Sequence, residues 1–200
     1  MSTYHRPIMV DEVLEGLDIK AGGIYFDGTA GGGGHSFAIL AADPTVRLIA
    51  TDKDGDAIRE VTERLSPFAG RYKLYRTDFR NYEKVLEDAG VGRLDGYLLD
   101  LGISSHQIDT RERGFAYMSD DAPLDMRMDD RATLTAKTVV NDYPEEMLLQ
   151  ILREYGEETF AASIVRNIVR EREKSEIATC GALRRIIEAS VPAKYRYNAC

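Results

Sequence analysis

The sequence is poor in the residues that build disulfide frameworks and metal centres. It has two cysteines, Cys180 and Cys200, and three histidines among 200 residues. Two cysteines make no disulfide framework, and neither they nor the scattered histidines have the spacing of zinc ligands. We therefore expect reduced thiols and no structural metal.

Long hydrophobic runs are also missing. No apolar stretch approaches the roughly 20 residues that a membrane helix requires. The first residues, Met-Ser-Thr-Tyr-His, lack the apolar centre of a secretory signal. These two absences predict a cytoplasmic protein with no membrane partner.

The chain has no excess of positive charge. It contains 26 Lys and Arg against 34 Asp and Glu, which gives a formal net charge of −8. This balance argues against a general nucleic-acid coat protein but leaves room for an enzyme that acts on RNA. Any basic face must therefore come from the arrangement of individual arginines.

Five glycines lie within positions 28–34, directly after the short apolar run Ile24–Asp27. The pattern predicts a buried strand, a turn, and a helix that begins near His35. Because glycine has no Cβ, a ligand can lie directly on the backbone amides of such a turn. A flexible linker is the alternative, but linkers are not flanked by apolar segments such as Phe37–Leu40. We call residues 28–34 the glycine turn.

Carboxylates stand near this turn. Asp27 precedes it, and Asp52 closes the next apolar strand about 20 residues further on, the usual place of an acid that binds ribose hydroxyls. The turn itself has no Lys or Arg that could pair with phosphate. Two acids without such a cation favour a positively charged nucleoside, S-adenosylmethionine, over NAD.

Helical and strand patterns alternate through the first half of the chain. The predicted helices cover 7–17, 35–42, 55–65 and 82–89, and the predicted strands after the first cover 46–51, 72–77 and 94–101. This alternation predicts right-handed crossovers and a parallel, doubly wound α/β sheet. Ligands of such sheets bind at the carboxyl ends of the strands. Four predicted residues share that edge: Asp27, Asp52, Phe79 and Asp100.

From Thr110 onward the pattern changes to loops rich in Arg, Asp and Met, followed by helices. Their predicted ranges are 135–142, 144–155, 157–174 and 179–189. This region carries basic residues suited to a phosphate backbone, although interleaved glutamates fit a solvated helix face equally well. The basic set is Arg153, Arg166, Arg170, Arg172, Lys174, Arg184, Arg185, Lys194 and Arg196.

Six motifs along the chain point to a family. They are Asp27-Gly-Thr, Gly33-Gly-His-Ser36, Asp100-Leu-Gly-Ile-Ser-Ser-His-Gln-Ile-Asp109, Glu112-Arg-Gly-Phe115, Pro123-Leu-Asp-Met-Arg-Met128 and Tyr155-Gly-Glu-Glu158. Together they resemble the bacterial small-subunit (16S) ribosomal RNA cytosine-N4 methyltransferase family, from His5 to the last residues. The resemblance implies a class I, Rossmann-like methyltransferase that depends on S-adenosylmethionine and carries a helical domain inserted in its sheet. It also implies a cytosine of the assembled small ribosomal subunit as substrate.

The resemblance further implies which residues contact the cofactor: Gly33, Gly34, His35, Asp52, Phe79, Asp100 and Gln107. The sequence pattern alone points to all of these except His35 and Gln107. Many amino-methyltransferases carry an Asp/Asn-Pro-Pro-aromatic turn at the target amino group. Here Asp100 takes that place, so we assign the catalytic role to Asp100. Three residues are candidates for holding a base that has left its stack: Arg113, Phe115 and Arg127.

The same resemblance divides the chain in two. Residues 1–110 are expected to form the N-terminal part of the S-adenosylmethionine-binding domain, and residues 111–200 a truncated helical insertion for substrate recognition. Family members continue beyond residue 200, so the sheet is expected to be incomplete. They also usually have proline where this chain has His106.

The expected function is S-adenosylmethionine-dependent N4-methylation of a cytosine in small-subunit ribosomal RNA. A cofactor- or RNA-binding fragment without turnover is an alternative, since the C-terminal part of the family is missing. A nicotinamide oxidoreductase shares the glycine turn and Asp52. Asp27, Phe79 and the lack of a catalytic His or Tyr–Lys pair argue against it.

Overall fold

The computed structural model describes residues 7–198, with side chains through residue 195. His5 and Cys200, named above, therefore lie outside the described residues. The side chain of Arg196 also lies outside them.

The chain separates into two packed units. The first contains Met1–His106 together with Met128–Asp130, and the second contains Gln107–Arg127 and Arg131–Cys200. The assignment of cofactor binding to residues 1–110 and of substrate recognition to residues 111–200 stays a prediction.

The first unit is built on parallel strands. They are β1 (Ile24–Asp27), β2 (Arg47–Asp52), β3 (Tyr72–Arg76) and β4 (Gly96–Leu98), in the order β3-β2-β1-β4. The helices that alternate with them are α1 (Val10–Leu17), α2 (Gly34–Ala42), α3 (Gly55–Arg64) and α4 (Tyr82–Ala89). The strand order and the parallel pairing confirm the predicted doubly wound sheet.

Neighbouring residues of β1 are buried on opposite faces of this sheet. Tyr25 packs in a cluster with Leu48, whereas Phe26 packs in a second cluster with Ile49 and Val85 of α4. Successive side chains of a strand point to opposite faces. The short apolar runs of β1 and β2 are continuous because both faces of the sheet are covered.

The strand predicted over 94–101 is wrong in its length, because side chains replace the ladder at both of its ends. The carboxylate of Asp95 accepts the backbone N–H of Ile24 at 2.9 Å. Beyond the strand, the N–H of Asp100 donates to the hydroxyl of Thr29 at 2.7 Å. Asp100 therefore lies in the loop that follows β4.

The second unit is helical, as predicted. After α5 (Ser105–Asp109), where the two units divide, its helices are α6 (Ala136–Asp142), α7 (Glu145–Glu154), α8 (Ala161–Arg172) and α9 (Cys180–Ser190). A core that includes Leu148, Ile164 and Ile168 joins them. Cys180 is a buried free thiol, as expected. In the described part of the chain, no helix has the length and apolar composition needed to span a membrane.

The predicted start of α8 at residue 157 is wrong, since the helix begins at Ala161. Glu157 has a φ of +48°, in the left-handed region that interrupts a right-handed helix. The carboxylate of Glu158 then accepts the N–H of Phe160 at 2.6 Å. A side chain thus satisfies a backbone donor just before the helix starts.

Candidate functional site

The glycine turn joins β1 to α2 and is fixed by hydrogen bonds to the neighbouring strands. The N–H of Gly28 donates to the carbonyl of Leu98 at 2.9 Å, and that of Ala30 to the carbonyl of Thr51 at 3.0 Å. Gly33 has a φ of +74°, which glycine adopts without the steric cost that a Cβ imposes. The turn is therefore an ordered part of the sheet edge, which excludes the linker alternative.

Asp27 ends β1 as predicted, but it is only 1% exposed. One carboxylate oxygen accepts the hydroxyl of Ser36 at 2.6 Å, and the other accepts the N–H of Thr29 at 3.1 Å. Burial raises the pKa of this carboxyl above its ordinary value. Asp27 thus holds the glycine turn against α2, and the expectation that it lines a crevice is wrong. The charge argument for a cationic nucleoside now depends on Asp52 alone.

Asp52 ends β2 and is half-buried. Its Oδ2 accepts the N–H of Gly31 at 2.8 Å, and its Oδ1 accepts the N–H of Asp54 at 2.8 Å. Burial raises the pKa of this carboxyl as well. Each carboxylate oxygen has a second lone pair. The two backbone bonds therefore orient Asp52 while leaving it able to accept hydrogen bonds from ribose hydroxyls, and this side chain fits the predicted group.

Phe79 follows β3 and borders the glycine turn. Its Cβ lies 3.0 Å from the position that a Cβ would take on Gly28. The preceding residue, Asp78, accepts the N–H of Arg80 at 3.0 Å and lies 3.6 Å from the ammonium of Lys53. The Arg80 guanidinium lowers the pKa of the Asp78 carboxyl. Asp78 therefore fixes the turn that presents Phe79, while the Phe79 ring also packs in the core.

Asp100 and Gln107 follow β4 along the chain. Asp100 is exposed, and its backbone is held on the glycine turn by the hydroxyl of Thr29. Gln107 begins the second unit and is 5% exposed. The structure thus gathers Asp52, Phe79 and Asp100 around one turn, whereas the cofactor contact of Gln107 stays a prediction.

Gly34 and His35 meet the segment that precedes α1. A Cβ on Gly34 would lie 2.5 Å from the Cγ of Pro7, so the close approach of the proline requires glycine. The Nε2 atom of His35 lies 2.9 Å from the carbonyl oxygen of Ile8. One ring nitrogen of His35 is therefore engaged by the chain itself, and its predicted cofactor contact stays a prediction.

The candidates for holding the target base lie in the second unit, where the two arginines form internal hydrogen bonds. Arg113 donates to the carbonyl of Arg127 at 2.9 Å. Arg127 donates to the carboxylate of Asp125 at 2.6 Å and to the carbonyl of Ala132 at 2.8 Å. The Arg127 guanidinium lowers the pKa of Asp125. Phe115 is half-buried. These contacts give the two arginines a structural role.

Much of the predicted basic set is paired within the second unit. Arg184 and Arg185 pair with Asp120, Arg170 and Lys174 pair with Glu171, and Arg172 donates to the carbonyls of Val140 and Tyr143. For Arg170 and Lys174 the pairing with Glu171 matches the alternative of a solvated helix face.

Three hydroxyl side chains support the site although the sequence pattern did not single them out: Thr29, Ser36 and Thr51. Thr51 is fully buried and donates to the carbonyl of Gly28 at 3.0 Å. The sequence signal that could have identified them is the occurrence of a hydroxyl residue in the glycine turn and in each of the elements α2 and β2 that contact it. Such residues also occur as ordinary caps, so the pattern alone does not identify them.

Comparison with known proteins establishes the family. The model of the MraW methylase family matches residues 2–200. The chain belongs to the MraW methylase family. Its membership confirms the resemblance carried by the motifs, and with the parallel sheet it gives a methyltransferase fold whose sheet is incomplete in this chain.

Curated relatives cover nearly the whole of this MraW methylase chain. A protein of Agathobacter rectalis named ribosomal RNA small subunit methyltransferase H 2 is 48% identical over 98% of the chain and 63% of its own length. A protein of Lachnospira eligens named ribosomal RNA small subunit methyltransferase H is 47% identical over 98% of the chain and 62% of its own length. The chain thus spans less than two thirds of these relatives.

A solved structure from Clostridium thermocellum matches 50% of this chain and 61% of its own chain, with 19% identity and a TM-score of 0.38. A likeness this distant supports no argument about the site.

Proposed function

We propose that the complete protein carrying this chain transfers a methyl group from S-adenosylmethionine to N4 of a cytosine in small-subunit ribosomal RNA. The observation that carries the proposal is the Asp52 carboxylate, hydrogen-bonded to Gly31 of an ordered glycine turn at the carboxyl edge of a parallel sheet. The names of the relatives support ribosomal RNA of the small subunit as the substrate. We extend this substrate to S-adenosylmethionine as the methyl donor and to N4 as the methylated atom.

The first unit offers a binding group for each part of the cofactor. Asp52 accepts the ribose hydroxyls, and Phe79 lies where an aromatic edge meets the adenine. Gly34 presents its backbone amide at the start of α2, where a helix N-terminus favours a carboxylate. The N–H of Gly33 donates to the carbonyl of Ala30 at 2.7 Å, so Gly33 contributes its close approach to the ligand rather than a donor. Bound there, S-adenosylmethionine supplies an electrophilic methyl group on a sulfonium. His35 and Gln107 complete the proposed set of contacts.

Asp100 is the proposed catalytic residue. The lone pair of the cytosine amino group is delocalised into the ring, which makes that nitrogen a weak nucleophile. A carboxylate that accepts a hydrogen bond from this group favours its pyramidal form, and holding the reactants in line supplies much of the rate. The hydrogen bond from the Asp100 N–H to the hydroxyl of Thr29, which holds this backbone on the glycine turn, supports the proposed role. In the transfer, N4 would form a bond to the methyl carbon as the carbon–sulfur bond breaks and its electron pair stays on sulfur. The proton that N4 loses would pass through the hydrogen bond to the Asp100 carboxylate and on to water.

The one cysteine within the described residues, Cys180, favours N4 over C5 as the target. A carbon-5 methyltransferase needs a thiolate that attacks the ring. Cys180 is buried in the second unit, its thiol lies 3.4 Å from the carbonyl oxygen of Gly114, and burial raises its pKa. A thiol in such surroundings is a poor nucleophile.

The test is a methylation assay with labelled S-adenosylmethionine, the complete protein and small ribosomal subunits, followed by digestion of the RNA and mass spectrometry. We expect N4-methylcytidine as the labelled product. Labelled 5-methylcytidine would overturn the N4 assignment. Cofactor binding without any labelled product would instead support a binding protein.

A further inference from the structure

A short acidic segment outside the cofactor site connects the two units along the chain. Residues Met128–Asp130 pack with the first unit, although Arg127 before them and Arg131 after them belong to the second. We call residues 128–130 the tongue. The chain therefore departs from the second unit only for this tongue and then returns.

The base of the tongue is closed by hydrogen bonds inside the second unit. The guanidinium of Arg127 donates to the carbonyl of Ala132 at 2.8 Å, and so joins the residues on either side of the tongue. The same guanidinium donates to Asp125 at 2.6 Å, and Arg113 donates to the carbonyl of Arg127 at 2.9 Å. A loop that is already closed loses little further entropy when its tip is held.

The tip of the tongue is held by Arg76, the last residue of β3. The Arg76 guanidinium pairs with Asp130 and lies 3.7 Å from a carboxylate oxygen of Asp129. The side chain of Arg76 is 31% exposed, so these charges are less screened than a fully solvated pair. A single guanidinium thus engages both acids of the tongue.

Arg76 also lies against the first residue of α3. A Cβ on Gly55 would come within 2.9 Å of the Arg76 guanidinium, so a larger residue there would displace this side chain. A helix N-terminus carries partial positive charge, which disfavours a cation there, and the tongue acids offset this repulsion. The residue before Gly55 is Asp54, whose N–H binds Asp52. The contact of Arg76 with Asp129 and Asp130, which we call the grip, therefore lies close to Asp52, the residue proposed to bind ribose.

We propose that Arg76 is a positioning residue: by binding Asp129 and Asp130, it holds the tongue and so fixes the geometry of the base of the tongue, where Arg113 and Arg127 lie. This inference rests on the proposed function, because two of the predicted base-holding residues, Arg113 and Arg127, form the base from which the tongue projects. Arg76 itself touches neither cofactor nor base. Its loss raises the KM for ribosomal particles and leaves the affinity for the cofactor unchanged.

The rate of limited proteolysis at the tongue shows whether Arg76 holds it, without any measurement of activity. Trypsin cleaves after Arg127 and Arg131, on the two sides of the tongue, and Arg131 is exposed. In the complete protein, we expect Arg76→Ala to speed cleavage at these bonds about fivefold, the upper range for one partly exposed ion pair. Arg59→Ala is the matched control, since Arg59 pairs with Asp56 on the same helix, and it should leave the rate unchanged.

The double variant Asp129→Asn/Asp130→Asn keeps β3 intact and should reproduce the faster cleavage, which covers the case in which Arg76→Ala does not fold. The conservative variant Arg76→Lys keeps the positive charge and should restore slow cleavage in part. Cleavage at the wild-type rate in both the arginine variant and the double aspartate variant would overturn the grip.

Methylation kinetics with small ribosomal subunits then test positioning. We expect a roughly fivefold higher KM for the particle in the same variants, with the dissociation constant for S-adenosylhomocysteine within twofold of wild type. Faster cleavage with an unchanged KM would overturn the positioning role. If the wild type methylates nothing, the proposed function fails and the positioning role fails with it, while the proteolysis result still decides whether the grip exists.

Discussion

The strand-end aspartates of the first unit and Asp125 of the second unit are stabilised in opposite ways. In the first unit, Asp27 and Asp52 end neighbouring strands and accept backbone N–H and hydroxyl groups, and burial raises the pKa of both. In the second unit, Asp125 faces the Arg127 guanidinium, which lowers its pKa. Asp52, held by neutral donors and half-buried, can still accept hydrogen bonds from a ligand, whereas Asp125 is committed to the Arg127 guanidinium.

A second contrast lies within the first unit. Asp27 and Asp52 occupy equivalent ends of paired strands, yet Asp27 is fully enclosed and Asp52 is half-buried. The difference arises because Ser36 of α2 reaches back to Asp27, whereas Asp52 meets only the edge of the glycine turn and the start of α3. The position at a strand end therefore does not by itself make an acid a ligand.

The largest expected effect is on folding, from Asp27→Ala. This change leaves the Ser36 hydroxyl, which is 0% exposed, without its acceptor and removes the partner of the Thr29 amide. We expect a loss of about 3 kcal/mol in the free energy of unfolding, measured by urea denaturation. Asp43→Ala is the control: it removes an acid that precedes β2, and it should reduce the free energy of unfolding less than Asp27→Ala does. Wild-type stability of the Asp27 variant would remove the contrast with Asp52.

Asp52→Ala should act mainly on binding. Two charged hydrogen bonds to ribose hydroxyls, each worth about 1.5–3 kcal/mol, are lost, so affinity for S-adenosylhomocysteine should fall at least tenfold. Calorimetric titration measures this, and urea denaturation should show a smaller loss of stability than for Asp27→Ala. An unchanged dissociation constant in a folded variant would place Asp52 outside the site.

Gly33→Ala tests whether the turn itself forms the bed of the ligand. A φ of +74° disfavours any side chain, so we expect a loss of about 1–2 kcal/mol in stability together with weaker cofactor binding. Gly92→Ala is the control, because a Cβ there meets nothing within 4 Å. If Gly33→Ala loses stability but keeps full affinity, the turn is only structural.

The smallest expected effect is a dependence of stability on pH, whose sign differs between Asp125 and Asp27. The pKa of Asp125 is lowered on folding, so its contribution of about 1 kcal/mol is present above the ordinary value of 3.8 and is lost as the pH falls through the folded value. The stability difference between wild type and Asp125→Asn should shrink below about pH 4 in urea denaturation.

Asp27 should show the opposite trend. Its pKa is raised on folding, so ionisation costs the folded state above that pKa, and the cost is relieved as the pH falls through it. The Asp27 carboxyl therefore favours the folded state more strongly at lower pH. For Asp125, the opposite result would be a stability difference between wild type and Asp125→Asn that grows as the pH falls. That result would contradict the contrast between Asp125 and Asp27.

The periodicity of apolar residues in the sequence was sufficient to predict most strands of the sheet and the helices that alternate with them. The helix Tyr82–Ala89 matches its predicted range, because its apolar stripe and its glycine end are both local signals. The end of β4 and the start of α8 were misplaced because side chains at Asp95, Thr29 and Glu158 take over backbone hydrogen bonds there. Such replacements depend on tertiary neighbours.

The site was predictable in position but not in detail. Carboxyl ends of parallel strands must share one edge, so Asp52, Phe79 and Asp100 could be grouped from the sequence. The burial of Asp27 depends on Ser36, nine residues away, which approaches only after α2 packs. The contact of Arg76 with Asp130 joins residues 54 positions apart and has no local signal.

The most direct test of the central claim is a calorimetric titration of the complete protein with S-adenosylhomocysteine and, separately, with NAD. A half-buried acid beside a glycine turn without a phosphate-pairing cation predicts binding of S-adenosylhomocysteine and no measurable binding of NAD. Binding of NAD without binding of S-adenosylhomocysteine would contradict the account.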